Sequence, residues 1–182
     1  LITVQIVLTG ALHEDGLADS LDGLWGGWTR DRRLEIMKDS RIGAYGVIGL
    51  IVTLLMRWQL WSLLIAADVL WASAMVLATT SRAPMAVLMA WLPPARASGL
   101  SQGVGQPDPV TAAAACAVAG LMTLVFWPGA LFALLLAIGL TLVAWGRIAR
   151  AKIGGQTGDI LGAVQQFSEL AGLLILVALI LP

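Results

Sequence analysis

One cysteine and one histidine, Cys116 and His13, occur in the 182 residues. A lone thiol excludes an intrachain disulfide and every paired-cysteine motif. Within the small-residue run TAAAACAVAGLM, Cys116 reads as a buried packing residue. His13 reads as a hydrogen-bonded bystander rather than a ligand. Charge is scarce: charged residues make up 12%, with 11 basic against 11 acidic. No bulk attraction to nucleic acid follows from that balance, so partners have to be argued locally. There is no Walker lysine in a Walker context and no nucleophile elbow, which leaves covalent hydrolase readings without support. The opening LITVQIVLTGAL has no initiator Met, basic n-region or small-residue cleavage site, so it does not read as a signal peptide. It is expected to be the tail of an interrupted membrane helix in an N-terminally incomplete chain. No convincing long-range repeat is present.

What the chain has is hydrocarbon. With 59% hydrophobic residues and a mean hydropathy of +0.88, it belongs in a bilayer rather than among soluble domains. A crossing needs about 20 apolar residues. The expectation is therefore an all-α polytopic integral membrane bundle of about five to six transmembrane helices, one membrane-embedded catalytic domain over 1–182. Apolar segments lie at 1–12, roughly 42–56, 59–80, 110–127, 129–146 and 160–181. Pro128 and Gly129 break the fourth from the fifth. Arg57, with Trp58 and Trp61 suited to an interface, predicts a reversal near 56–62.

Basic residues orient the bundle. Arg30, Arg32, Arg33, Lys38 and Arg41 in one loop, and Arg147, Arg150 and Lys152 in another, place both at the cytoplasmic face of a prokaryotic inner membrane. If 42–80 and 110–146 are helical hairpins, the polar loop 93–109, Arg82 and the KIGGQTGD stretch join the acidic cluster there. The active site is expected at that face.

The acidic cluster is LHEDGLADSLDGLWGGW, residues 12–28. At about 100° per residue, Asp15, Asp19 and Asp22 share one face of a helix. Like charges so placed repel each other, and a divalent cation removes the conflict. Hard oxygen donors favour Mg²⁺, which uses a few carboxylates together with substrate phosphate oxygens. Glu14 points about 100° from Asp15 and reads as an outer ligand or a base. The glycines at 16, 23, 26 and 27 would let a bulky substrate near the backbone. The competing reading is a solvated interfacial turn.

A second constellation is RIARAKIGGQTGDILGAVQQFSE. Gly154, Gly155 and Gly158 form a loop whose amides can face a phosphate, and Thr157 or Asp159 can cap the next helix. Asp159 suits a metal or a hydroxyl better than a phosphate. Gln166 shares its face, and Glu169 falls inside the apolar helix, where ionisable residues are functional candidates. Lys38, Arg41 and Arg82 are candidate phosphate clamps. Arg32 and Arg33 read as topogenic charges facing lipid headgroups.

Read together, TGALHEDGLADSLDGLWGGW, IMKDSRIGAYG, SRAPM and GGQTGDILGAVQQFSE resemble the cobalamin synthase family, the adenosylcobinamide-GDP ribazoletransferases. The resemblance runs in the family order over most of the chain. It implies a Mg²⁺-dependent membrane transferase joining adenosylcobinamide-GDP to α-ribazole or its 5′-phosphate, with loss of GMP. The family's acidic motif falls on Glu14, Asp15, Asp19 and Asp22, and its basic motif on Lys38, Asp39, Ser40 and Arg41. Its glycine motif falls on Gly154, Gly155, Thr157, Gly158 and Asp159. In this reading Asp15, Asp19 and Asp22 hold one or two Mg²⁺ ions, and Lys38, Arg41 or Arg82 steadies the phosphates. Glu14 or Asp159 takes the proton of the attacking hydroxyl. Membrane lipid is the other partner, and self-association stays open. The acidic helix also resembles, loosely, that of the CDP-alcohol phosphotransferases, but Asp19 stands where their pattern has Arg. An ion-coupled transporter is the rival of another class; clustering of charge at one face and the lack of inverted halves count against it.

Overall fold

The computed structural model describes residues 1–181, apart from the side chains of Leu100 and Gln102. Its helices are α1 Ile2–Thr9, α2 Leu12–Gly26, α3 Arg30–Ile36, α4 Ala44–Ala66, α5 Leu70–Thr80, α6 Ala83–Trp91, α7 Leu100–Val104, α8 Pro109–Phe126, α9 Leu131–Ile153 and α10 Gly158–Ile180. Five stretches are long and apolar enough to cross a membrane: Ala44–Ala66, Leu70–Trp91, Pro109–Phe126, Pro128–Ile153 and Gly158–Ile180. The all-α polytopic expectation holds, at its lower count. Local chemistry sets the ends. Asp108 accepts the Thr111 amide at 2.7 Å to cap α8, with Pro109 in the first turn. Gly154, at φ 81°, closes α9 in the left-handed conformation that costs glycine nothing.

The reversal expected at 56–62 is absent. α4 runs unbroken through MRWQLWS because Arg57 turns inward, where it finds partners, and is 1% exposed. Trp61 is buried as well, and only Trp58 keeps an exterior position. The turn falls instead after Ala66, where Asp68 takes φ 59°, a conformation that short polar side chains tolerate. The next span continues past 80 to Trp91, with a break at Ser81–Arg82 and Pro84 in the first turn of α6. Arg82 therefore sits within a span, not at its mouth, and its Nη1 donates to Ala78 O of its own helix at 3.0 Å. Cys116 is exposed, not buried: the stripe Ala112, Cys116, Ala119 and Thr123 is only partly covered, and Cys116 borders an apolar cavity shared with α9.

α10 is the axis of the bundle and contributes to two apolar cores. One contains Leu17, Leu24, Leu88, Trp145, Ile153, Ile160 and Val164. The other contains Leu60, Trp61, Leu77, Leu134, Leu173 and Leu176. Between them, along α10, lie the buried polar residues Gln165, Gln166, Ser168 and Glu169. Outward positions such as Trp71, Phe132, Leu135 and Leu136 are exposed apolar groups, as a lipid-facing surface requires.

Candidate active site at the mouth of the bundle

α1 and α2 are joined at Gly10 and Ala11, both at φ 60°, so α2 leaves at a new angle and lies along α10. The crossing is close. A methyl added to Gly16 would stand 2.9 Å from Asp159 O, and one added to Gly162 would stand 3.2 Å from Gly16 Cα. Contact at this range requires glycine on both helices, and it brings the acidic motif of α2 against the first turn of α10.

Along the acidic face of α2, exposure falls from Asp15, which is open, through Asp19, half-buried, to Asp22, buried. Asp22 is committed: its Oδ2 accepts the Gly43 amide at 2.7 Å and its Oδ1 the Gly46 amide at 2.9 Å. It thereby satisfies orphan donors at the positive end of α4. Asp19 has no such outlet. Burial first, and then the charges of Asp15, Asp159 and Asp22, push its carboxyl up to about 7. Among the described residues no three His, Cys, Asp or Glu side chains converge into a ready coordination sphere.

The glycine loop meets this face. Thr157 Oγ1 accepts the Ile160 amide at 3.3 Å and donates to Asp159 Oδ2 at 3.1 Å, so Thr157, not Asp159, caps α10. The loop is stitched to residues 93–95: Gln156 N donates to Pro93 O at 2.9 Å and Ala95 N to Gln156 O at 2.8 Å. Gly155 lies so close to Pro93 O that a side chain there would collide with it. This pairing delivers Arg96 to Asp159, with Nη2 2.6 Å from Oδ2. Lys38 and Arg96 line one cavity of about 310 Å³ with Asp31, Leu34 and Glu35. Arg41 is turned to Asp39, with Nη2 2.6 Å from Oδ2, and this contact holds Asp39 at about 2. Both Gly154 and Gly158 serve helix ends.

Glu14 faces away from the aspartates. Its Oε1 takes Arg57 Nη1 at 2.9 Å and Gln166 Nε2 at 3.0 Å, while Arg57 Nη2 reaches Glu169 Oε1 at 3.3 Å and Gln5 Oε1 at 3.0 Å. Arg33, expected among headgroups, instead donates from Nη1 to Lys152 O at 3.0 Å. Arg30 donates from Nε to Ile153 O at 3.0 Å and from Nη2 to Ala95 O at 2.6 Å. The unpaired carbonyls at the negative end of α9 attract both guanidinium groups inward. Arg96 escaped the sequence reading because PPARASG looks like an ordinary polar connection. Its signal was the Pro93–Pro94 pair, which favours the extended backbone that can pair with another strand.

The description Cobalamin-5-phosphate synthase belongs to the family model that matches residues 1–177. A protein of Mesorhizobium japonicum named adenosylcobinamide-GDP ribazoletransferase is 41% identical over 174 residues, covering 96% of this chain and 67% of the relative. Namesakes from Azorhizobium caulinodans and Bradyrhizobium diazoefficiens are 48% and 46% identical, covering 93% and 97% of this chain and 67% and 68% of theirs. No solved structure matches. The match takes in every element of the site, from the acidic face of α2 to the first turns of α10, and the chain belongs to the cobalamin-5-phosphate synthase family of enzymes.

Proposed function

We propose that this chain transfers the corrinoid of adenosylcobinamide-GDP to α-ribazole or its 5′-phosphate, releasing GMP, at the cytoplasmic face of a prokaryotic inner membrane. The observation that carries the reading is the meeting of Asp15 and Asp19 with Asp159 and Arg96, beside the cavity of Lys38. The relatives' names support the substrates, and the basic loops at this end of the bundle support the orientation.

A Mg²⁺ ion fits this donor set. The raised pKa of Asp19 reflects burial first and then the charges of Asp15, Asp159 and Asp22, which Arg96 alone does not balance, and all the donors are hard oxygens. Asp15 and Asp19 would hold the ion with Asp159 near them, while Asp22 keeps α4 in place through its two amide bonds. When bound, it would supply positive charge to offset that growing on the departing GMP phosphate. Lys38 and Arg96 are placed to bind phosphoryl oxygens. The acceptor hydroxyl oxygen forms a bond to the corrinoid-side phosphorus, the bond from that phosphorus to the bridging oxygen breaks, and that oxygen leaves with GMP. Asp159 takes the hydroxyl proton, a role for which Glu14 is poorly placed because Arg57 and Gln166 occupy its Oε1. The test is incubation of the full chain with adenosylcobinamide-GDP and α-ribazole. GMP is expected only with both substrates and Mg²⁺ present; GMP formation indifferent to Mg²⁺ would remove the metal, and no GMP at all would remove the reaction.

A further inference from the structure

We propose that Arg96 is the residue that recognises the diphosphate of the nucleotide-linked substrate, and that it does so by exchanging its ion pair with Asp159 for phosphoryl oxygens. The inference rests on the transferase reading above. Three observations point to it. First, the guanidinium is under-used. Nη2 bonds Asp159 at 2.6 Å, and that is the one hydrogen bond it makes among the described residues, although guanidinium has five N–H donors in a planar fork. Second, Arg96 borders a cavity together with Lys38, so two cations from separate loops border one space, whose two carboxylates, Asp31 and Glu35, are paired with Arg30 and Arg32. Third, the backbone immediately before it is fixed. Ala95 N is bonded to Gln156 O at 2.8 Å, and Ala95 O accepts from Arg30 Nη2 at 2.6 Å. Gly99, at φ +122°, turns the chain back past Arg96, where an added methyl would lie 3.6 Å from Nε.

A firmly anchored Cα with a half-occupied fork suits exchange between two anions. Asp159 presents one oxygen to one Arg96 nitrogen, whereas a diphosphate presents several, matched to bidentate pairing. The carboxylates Asp15 and Asp19, and Asp31 and Glu35 in the cavity itself, repel a bare phosphate, so the incoming charge has to be met by Arg96 and Lys38. Once Arg96 has moved to the phosphate, the Asp159 carboxylate is left for the acceptor hydroxyl. Substrate binding and release of the base become one event.

The experiment uses the full chain, with GDP and guanosine as binding probes and GMP release as the activity readout. Arg96→Gln is expected to weaken GDP binding by about 10- to 100-fold and to leave guanosine binding unchanged. Arg96→Lys should recover part of the loss, since it restores charge without the fork. Asp159→Asn should keep GDP binding at the parent level or tighten it, because the competing carboxylate is gone. A residue that merely seats Asp159 would make the Gln and Asn variants weaken GDP alike, and that result overturns the proposal. So does unaltered GDP binding in Arg96→Gln, or no GDP binding by the parent chain with Mg²⁺ present. The bridging bonds are backbone bonds, so Arg96→Gln is expected to elute as the parent does. Loss of GDP binding in that variant, from a parent that releases no GMP, would sink the transferase reading and leave this one standing.

Discussion

Two groups of charges lie along the same pair of helices, and they are built oppositely. The group around Arg57 is sealed: Glu14, Glu169, Gln5 and Gln166 all reach its guanidinium, which is 1% exposed near the middle of the 23-residue α4. The group around Asp19 is open: Asp15 is exposed, Asp19 half-buried, and Arg96 is the near cation for several carboxylates. In the first, partners are supplied by the protein and the charges join α1, α2, α4 and α10. In the second, balance is left for something that arrives. Buried charge that is paired within the protein holds helices together, although Glu14 Oε2 and Arg57 Nε are without partners among the described residues, and charge left open to solvent marks a place for chemistry.

The contrast can be broken at its sealed end first. Arg57→Leu leaves two buried carboxylates without a cation and should cost about 3–5 kcal/mol, read as loss of the folded protein in detergent melts. Adding Glu14→Gln and Glu169→Gln to that variant should recover most of the loss. If the single variant melts as the parent does, the network is not what joins the helices. Asp19→Asn should do the reverse: GMP release falls about 100-fold or more, while the melting temperature holds or rises because repulsion with Asp15, Asp159 and Asp22 is relieved. A variant that is both active and unstable would dissolve the distinction.

Gly155→Ala tests the scaffold of the open group. The added methyl meets Pro93 O and pushes the two loops apart, at a cost of about 1–3 kcal/mol. Activity should fall with the displaced Arg96–Asp159 pair, whereas Gly139→Ala, with open space around it, should be neutral in both assays. The last test is pH. Asp19 titrates near 7 in the folded chain against an ordinary value of 3.8, so its folded form is favoured while it is protonated. Stability should therefore decline as pH rises from about 4 through about 7 without divalent ions, and added Mg²⁺ should flatten the decline. A melting profile that rises over that window would contradict the raised value.

Much of this was readable from residue spacing. The shared face of Asp15, Asp19 and Asp22, the glycine loop before α10 and the clustering of polar loops at one end all follow from helical period and charge placement. What spacing hides is which charge is already paired. Nothing in the sequence separates Asp22, bonded to Gly43 and Gly46, from Asp19, because their environments are set by α4 packing from elsewhere in the chain. Arg57 misled for the same reason. An arginine in an apolar run looks like a break until two glutamates and two glutamines, all distant in sequence, are brought around it.

The crossing of Gly16 and Gly162 has one more effect. Asp159 lies a turn of α10 above it and Gln166 a turn below, and at the crossing backbone presses on backbone, with His13 Cα and O only 3.2 Å from where a methyl on Gly162 would be. Neither helix leaves room for a side chain between them at this point. The crossing therefore stands between the Asp159 end of α10 and the Gln166 end that carries the Arg57 network, and holds the two groups of charges apart.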